Sequence, residues 1–319
     1  MGYPLFEVLS PGLLTTVQDL GRPGFQQYGL SVSGAMDPLA LQVANLLVGN
    51  PRHEAGLEIT LKGPRLHLLH DALLAIGGAD LSAKLNDQPI APWQSFFAQK
   101  GDVLSFGPVQ KGVRAYLAVY GGFDVPPVMN SKSTYLLGKI GGFKGRALKK
   151  GDVLYGYKPL KRKKARRRLA PEHIPHYSDH PLIRITWGPE KEAFTESSLH
   201  QFLTHSFQVS PDANRMGYRL SGPTLVHQEG QTGIISSAVT RGTIQVPPDG
   251  KPIILMADSQ TTGGYPRLAV VITVDLPALA QLAPGHSLSF KAVDLDEAHR
   301  LYKAQERFLR QLSLVSTPL

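Results

Sequence analysis

The stretch TIQVPPDGKPIILMAD, residues 243–258, carries the reading of the fold. Two runs rich in aliphatic side chains flank the turn formers Pro248, Asp249 and Gly250, so the segment reads as a β-hairpin. RLAVVITVD (267–275) follows as a nearly continuous apolar run of strand length, the pattern of a strand buried on both faces. Upstream, RLHLLHDALLAIGG (65–78), DVLSFG (102–107) and VRAYLAVYGG (113–122) read as short strands between Gly or Asp turns. Short strands at this spacing favour barrels over a doubly wound sheet. The expected fold class is mainly β, with a few short helices and one C-terminal helix.

The helices announce themselves by their caps. Asp37-Pro38 is an N-cap followed by Pro at the first helical position, and Leu39, Val43, Leu46 and Leu47 then mark one face. Gly49 and Pro51 end that helix. Asp275 is placed to cap a shorter helix through Gln281. The tail DLDEAHRLYKAQERFLRQLSL is the longest helical pattern, with Leu301, Phe308 and Leu312 on one face. Paired segments such as GDVLSF (101–106) and GHSLSF (285–290) hint at two β-rich units of similar kind, although the order of such pairs differs between halves.

With 319 residues, two domains are expected. Of the nine net positive charges, seven come from KRKKARRR, Lys161–Arg168, so the rest of the chain is close to neutral. That run has prolines around it and no interleaved aromatic residue, and it reads as a solvated linker rather than a nucleic-acid surface. The division expected is a first β domain over 1–170, ending in a basic linker at about 158–178, and a second over 179–319 that carries the C-terminal helix. Cysteine is absent, which removes disulfides, thiolate metal sites and a Cys nucleophile together. No run of 18 apolar residues and no signal-peptide pattern at the N-terminus is found, so a cytoplasmic protein without a membrane partner is expected.

Common catalytic motifs fail. There is no P-loop and no G-x-S-x-G elbow. GKIGGFKGR (138–146) reads as a surface turn whose amides can cradle an anion, although its spacing fits no nucleotide fingerprint. HIPHYSDH (173–180) gathers imidazoles and a carboxylate, but in a linker, and no metal is assigned. Asp19 and Arg22, in a glycine-bracketed turn, read as a local ion pair that fixes the loop. Two segments are richer. NRMGYRL (214–220) sets Arg215, Tyr218 and Arg219 around a glycine. The apolar run Ile253–Ala257 delivers Asp258, Ser259, Gln260, Thr261 and Thr262 at a strand end, closed by Gly263-Gly264 and Tyr265-Pro266. Asp258 can serve as a base if burial raises its pKa, and Gln260 with the threonines can hold a carbonyl or amide.

PGLLTTVQDLGRPGFQQYGLSVSGAMD, ANLLVGN, GGFDVPPVMNSKSTYLLGKIGGFKGRALKKGD, NRMGYRL and GTIQVPPDGKPIILMADSQTTGGYP together resemble a family of biotin-dependent carboxyltransferases. It includes the C subunit of bacterial 5-oxoprolinase (PxpC, also called KipA) and the matching part of urea carboxylase, once labelled allophanate hydrolase subunit 2. The resemblance implies two cyclophilin-like β-barrel domains. It implies a PxpB/KipI-like and a PxpA-like partner, with which 5-oxoproline, ATP and water become L-glutamate, ADP and phosphate. ATP is then a cofactor of the complex, with its binding subunit unassigned. An alternative is a carboxyltransferase subunit that transfers a carboxyl group from carboxybiotin to urea or another small amide; no A-M-K-M biotinyl-lysine motif or ATP-grasp signature is present here. A further alternative is a KipA-type regulator of a KipI-like kinase inhibitor.

Such reactions must polarise an amide and manage its proton, which needs fixed donors and a base. From the matching motifs, Asp258, Tyr265 and Arg215 are the catalytic candidates. Tyr218, Gln245, Gln260, Thr261 and Thr262 are the candidates for substrate binding. Many relatives read G-S-R-S-T where Asn130–Thr134 reads NSKST, so Lys132 would hold a carboxylate without an arginine's fork.

Overall fold

A computed structural model of the chain describes residues 2–160 and 166–316, so Lys161–Ala165 of the basic run lie outside the described residues. The chain divides into two compact units. The hairpin forms: strands Thr243–Gln245 and Ile253–Leu255 pair antiparallel, with Ile244 opposite Ile254 and Gln245 opposite Ile253. Strand Gly217–Ser221 joins the other side of Ile253–Leu255, with Tyr218 opposite Ile254 and Arg219 opposite Ile253. Side chains directly opposite one another share a face, and successive residues alternate. One row, Tyr218–Ile254–Ile244, therefore points inward, and all three are at most 1% exposed. The next row, Arg219–Ile253–Gln245, lies on the outer face.

These three strands belong to a closed seven-stranded barrel, the core of the second unit. A parallel pairing of Leu182–Trp187 with Ser287–Ala292 completes it. The strand expected over 267–275 covers Arg267–Val271; a 3-10 turn and the helix Leu276–Ala280 follow. Asp275 does not cap that helix with its side chain. Its carboxylate instead accepts from the Arg184 backbone N–H at 2.7 Å and from its guanidinium Nε at 2.9 Å and Nη2 at 2.6 Å, which engages both oxygens away from the helix. Inside the barrel Phe202, from a helix capped by Thr195, stacks on Phe290 with ring centroids 4.3 Å apart.

The first unit packs a six-stranded and a five-stranded sheet around one core that includes Leu5, Phe6, Leu74, Ile76 and Leu117. Helix Pro38–Val48 covers the outer face of the five-stranded sheet. Strand Ala72–Asp80 is thus buried on both faces, which explains its unbroken apolar run. A Cβ at Gly77 would lie 2.6 Å from the Ala40 carbonyl oxygen, so glycine lets the helix lie close to the sheet. Asp37 caps the helix by accepting from the Ala40 N–H at 2.9 Å. A buried polar chain holds the cap: Asp37 N–H donates to the Tyr116 hydroxyl, which donates to Glu58, and Tyr177 donates to Asp37. Burial, reinforced by Glu58 and Asp37, pushes the Tyr116 hydroxyl well above its ordinary pKa, so it stays a donor.

The units are not continuous in sequence. The first takes in residues up to 22, 33–177 and the last helix from Arg307; the second takes 23–32 and 178–306. Two segments thus fall across the division expected from sequence. The end of the helix Leu295–Ser316 carries Phe308, Leu309 and Leu312 into the apolar cluster around helix Pro38–Val48, and this apolar face assigns it to the first unit. The described end of the basic run is not a solvated linker. Ser95 N–H donates to the Arg167 carbonyl at 2.8 Å, Leu169 N–H donates to the Trp93 carbonyl at 2.9 Å, and Leu169 is buried. This segment extends an open sheet edge, strand Gln94–Ala98.

The glycine-rich opening stretch folds into a polar knot within the first unit. Asp19 accepts from the Ser131 hydroxyl at 2.7 Å, from the Lys132 N–H at 2.6 Å and from the Ser133 hydroxyl. Arg22 donates to the Ser133 carbonyl, and Gln18 Nε2 donates to the Thr134 carbonyl at 3.0 Å. Lys132 Nζ donates to Glu54 at 2.7 Å and to the Phe123 carbonyl at 3.2 Å, so its charge serves an internal carboxylate rather than a ligand. GKIGGFKGR packs against this knot. A Cβ at Gly142 (φ +53) would lie 1.9 Å from Thr134 Oγ1, and one at Gly141 would lie 2.1 Å from the Ser133 oxygen. Glycine at these two positions is what lets the turn approach Ser133 and Thr134 so closely.

Two expectations follow. Gly142→Ala combines a left-handed backbone with this overlap and should lower stability by about 2–4 kcal/mol, read by urea denaturation. In the second unit Glu190 accepts from Arg267 N, Nε and Nη2, and the hydrogen bonds from that guanidinium hold its carboxyl below the usual range. A depressed carboxylate contributes stability above its unfolded pKa, about 4.3, and loses it as pH falls through the lower folded value. The wild type should therefore lose more stability between about pH 6 and pH 3 than Glu190→Gln, as read by denaturation midpoints.

Candidate functional site

The outer face of the second-unit barrel carries a cleft of about 310 Å³. The row Arg219–Ile253–Gln245 crosses it, Leu255 and Met216 add apolar wall, and Gln260 and Tyr265 stand at its side. Gln245 is 1% exposed, and its Nε2 donates to the Tyr265 carbonyl at 3.0 Å. That bond orients the carboxamide and ties the 260–266 segment over the strand. A Cβ at Gly263 would lie 2.5 Å from Gln245 Nε2, so the second chemistry-rich segment needs glycine there to close over the glutamine.

Two loops frame the cleft, and one ion pair joins them. Arg215 Nε and Nη2 donate to the two oxygens of Asp258 at 2.8 and 2.9 Å, with both side chains less than 10% exposed. Two backbone bonds reinforce the joint: Asp258 N–H to the Arg215 carbonyl at 2.8 Å and Met256 N–H to the Met216 carbonyl at 2.9 Å. Asn214 closes the turn by accepting from the Met216 N–H at 2.8 Å.

The eight residues singled out from sequence thus separate into groups. Gln245, Gln260 and Tyr265 line the cleft. Arg215 and Asp258 meet, but as a buried bidentate pair: both carboxylate oxygens are engaged, and this geometry fits an anchor rather than a free base. Tyr218 leaves the site, because strand alternation turns it into the barrel core, 1% exposed. Thr261 and Thr262 go to a small ribbon. Strand Thr262–Gly263 pairs with Ser237–Ala238, and the Thr261 carbonyl accepts from the Val239 N–H at 3.1 Å. Arg219, named in the NRMGYRL motif but not among the eight candidates, and Met216 also line the cleft. The alternation of Gly217–Ser221 is the signal that separates Arg219, outward, from Tyr218, inward.

No group of three His, Asp or Glu side chains is assembled for a metal among the described residues. The HIPHYSDH side chains scatter: His176 meets Lys111 Nζ at 3.1 Å, His180 meets the Ser289 hydroxyl at 3.1 Å, and His173 packs on Phe308. No helix among the described residues is long and apolar enough to cross a membrane.

The carboxyltransferase domain family, subdomains A and B, matches residues 28–292. The chain is 40% identical over 309 residues to the 5-oxoprolinase C subunit of Escherichia coli K12, covering 97% of this chain and 98% of that protein. The chain belongs to this carboxyltransferase-domain family. Another member, the 5-oxoprolinase C subunit of Haemophilus influenzae, is 37% identical, with 97% of each chain covered. The crystal structure of the Kluyveromyces lactis urea carboxylase carries the same fold at 33% identity and a TM-score of 0.91. All of this carboxyltransferase-domain chain is covered there, but it spans only 30% of that larger protein. The family resemblance and the mainly β class with a C-terminal helix, read from sequence, are both borne out.

Removing Arg215 from this carboxyltransferase-domain protein takes two charge-assisted hydrogen bonds from the buried Asp258 carboxylate. Arg215→Ala should lower stability by about 3–5 kcal/mol, measured by chemical denaturation.

Proposed function

We propose that this chain is the C subunit of an ATP-dependent 5-oxoprolinase. In this reading it works in a cytoplasmic complex with PxpB/KipI-like and PxpA-like partners that cleaves 5-oxoproline to L-glutamate. The observation that carries the reading is the extent of the match. Both 5-oxoprolinase C subunits align along nearly their whole length as well as along nearly all of this chain. A second reading, carboxyl transfer from carboxybiotin to urea or a related amide, draws on the Kluyveromyces lactis urea carboxylase fold. There the matching region is less than a third of the chain.

Two groups on the cleft fit a lactam. The Gln245 carboxamide, held by the Tyr265 carbonyl, presents its oxygen as an acceptor for a lactam N–H. The Tyr265 side chain, 43% exposed on the cleft, offers a hydroxyl donor to the charge that develops on the carbonyl oxygen. The Arg215–Asp258 pair keeps both rims fixed, so these groups need no reorganisation during the reaction. In this reading ATP is consumed by the assembled complex.

Reconstitution with the A and B partners tests this reading. Phosphate release that depends on 5-oxoproline should require this chain. An A–B complex that releases phosphate at the same rate without it removes the chain from the reaction.

A further inference from the structure

The geometry points to Arg219 as the residue that binds the carboxylate of the substrate and so selects a lactam acid over an uncharged amide. Among the described residues its guanidinium has no hydrogen-bond or ion-pair partner, unlike that of Arg215, four positions earlier. Strand alternation turns it out of the barrel between the buried Tyr218 and Leu220, and it opens onto the cleft. Asp212 lies on the same cleft without pairing to it, so the guanidinium keeps its donors for a ligand.

Arg219 and Gln245 both stand opposite Ile253, one on each side, and all three point to the same face. Adjacent strands lie about 4.8 Å apart, which sets the Arg219 and Gln245 backbones about 10 Å apart across the cleft floor. Both side chains shorten that gap. A small ring that bears a carboxylate on one side of an amide N–H spans what is left. The carboxylate takes the arginine fork and the N–H takes the Gln245 oxygen, while Ile253 meets the ring's methylenes. Urea has the N–H groups but no anion, so it forgoes the charged contact. A site built around a charged hydrogen bond rejects the analogue that lacks it.

This inference rests on the 5-oxoprolinase reading, and the test separates the two. In the reconstituted complex Arg219→Ala should raise KM for 5-oxoproline by at least about tenfold, with kcat within about threefold, since a hydrogen bond to a charged group is worth a factor of that size. Arg219→Lys should restore part of the affinity, because it keeps the charge and loses the fork. An unchanged KM in Arg219→Ala overturns the assignment and leaves the 5-oxoprolinase reading intact. If the wild-type complex does not turn over 5-oxoproline, that reading fails, and calorimetric titration of the full chain decides Arg219 separately. Tighter binding of 5-oxoproline than of 2-pyrrolidone, lost in Arg219→Ala, supports the assignment. Equal binding of the two lactams by the wild type, or a preference that survives the substitution, overturns it.

Discussion

The ion pair between Arg215 and Asp258 is the constraint on which the second unit's cleft depends. Two charges taken out of water cost several kcal/mol each, and only a near-ideal geometry offsets that. Here the fork of Arg215 meets both carboxylate oxygens, and two backbone bonds join the same loops. Opening the joint would cost two charge-assisted hydrogen bonds and two backbone bonds together. The turn that precedes strand Gly217–Ser221 and the loop that follows strand Ile253–Leu255 are therefore one rigid frame. Everything that faces the cleft, including Gln245 and Tyr265, is positioned relative to it.

The barrel beneath works by strict alternation. Tyr218, Ile254 and Ile244 fill the interior, and the next row outward, Arg219, Ile253 and Gln245, supplies the floor of the cleft. A single residue of slip would exchange the two rows and place an arginine in the core. Core packing and site geometry are thus two faces of one register. The first unit solves its burial differently: a helix covers one sheet, so strands such as Ala72–Asp80 lose alternation altogether. Its polar investment lies in the knot around Asp19, which the glycines at 141 and 142 close by fitting where no side chain can.

Much of this is legible along the chain. The hairpin, the capped helix at Asp37 and the long C-terminal helix follow from local turn, cap and periodicity chemistry, and each forms. The site is legible in part. The motifs around Gln245, Gln260 and Tyr265 lie on the surface that carries the cleft. Tyr218 is misplaced when NRMGYRL is read as a turn, because strand alternation carries it inward. Asp258 reads as a base because its partner 43 residues away cannot be inferred from spacing. The same holds for Asp275, whose carboxylate serves Arg184, 91 residues distant, rather than the helix it begins.

The sequence by itself determined the mainly β class, the places where the chain turns, and its family, because these rest on local backbone preferences and on motifs that persist as contiguous strings. The tertiary structure alone decided which polar side chains are spent on the protein and which remain for a ligand. Charges are satisfied through space: Lys132 by Glu54, Asp258 by Arg215, Asp19 by the serines at 131 and 133. Only when those long-range partners are in place does Arg219 stand out as the arginine whose fork still faces the cleft.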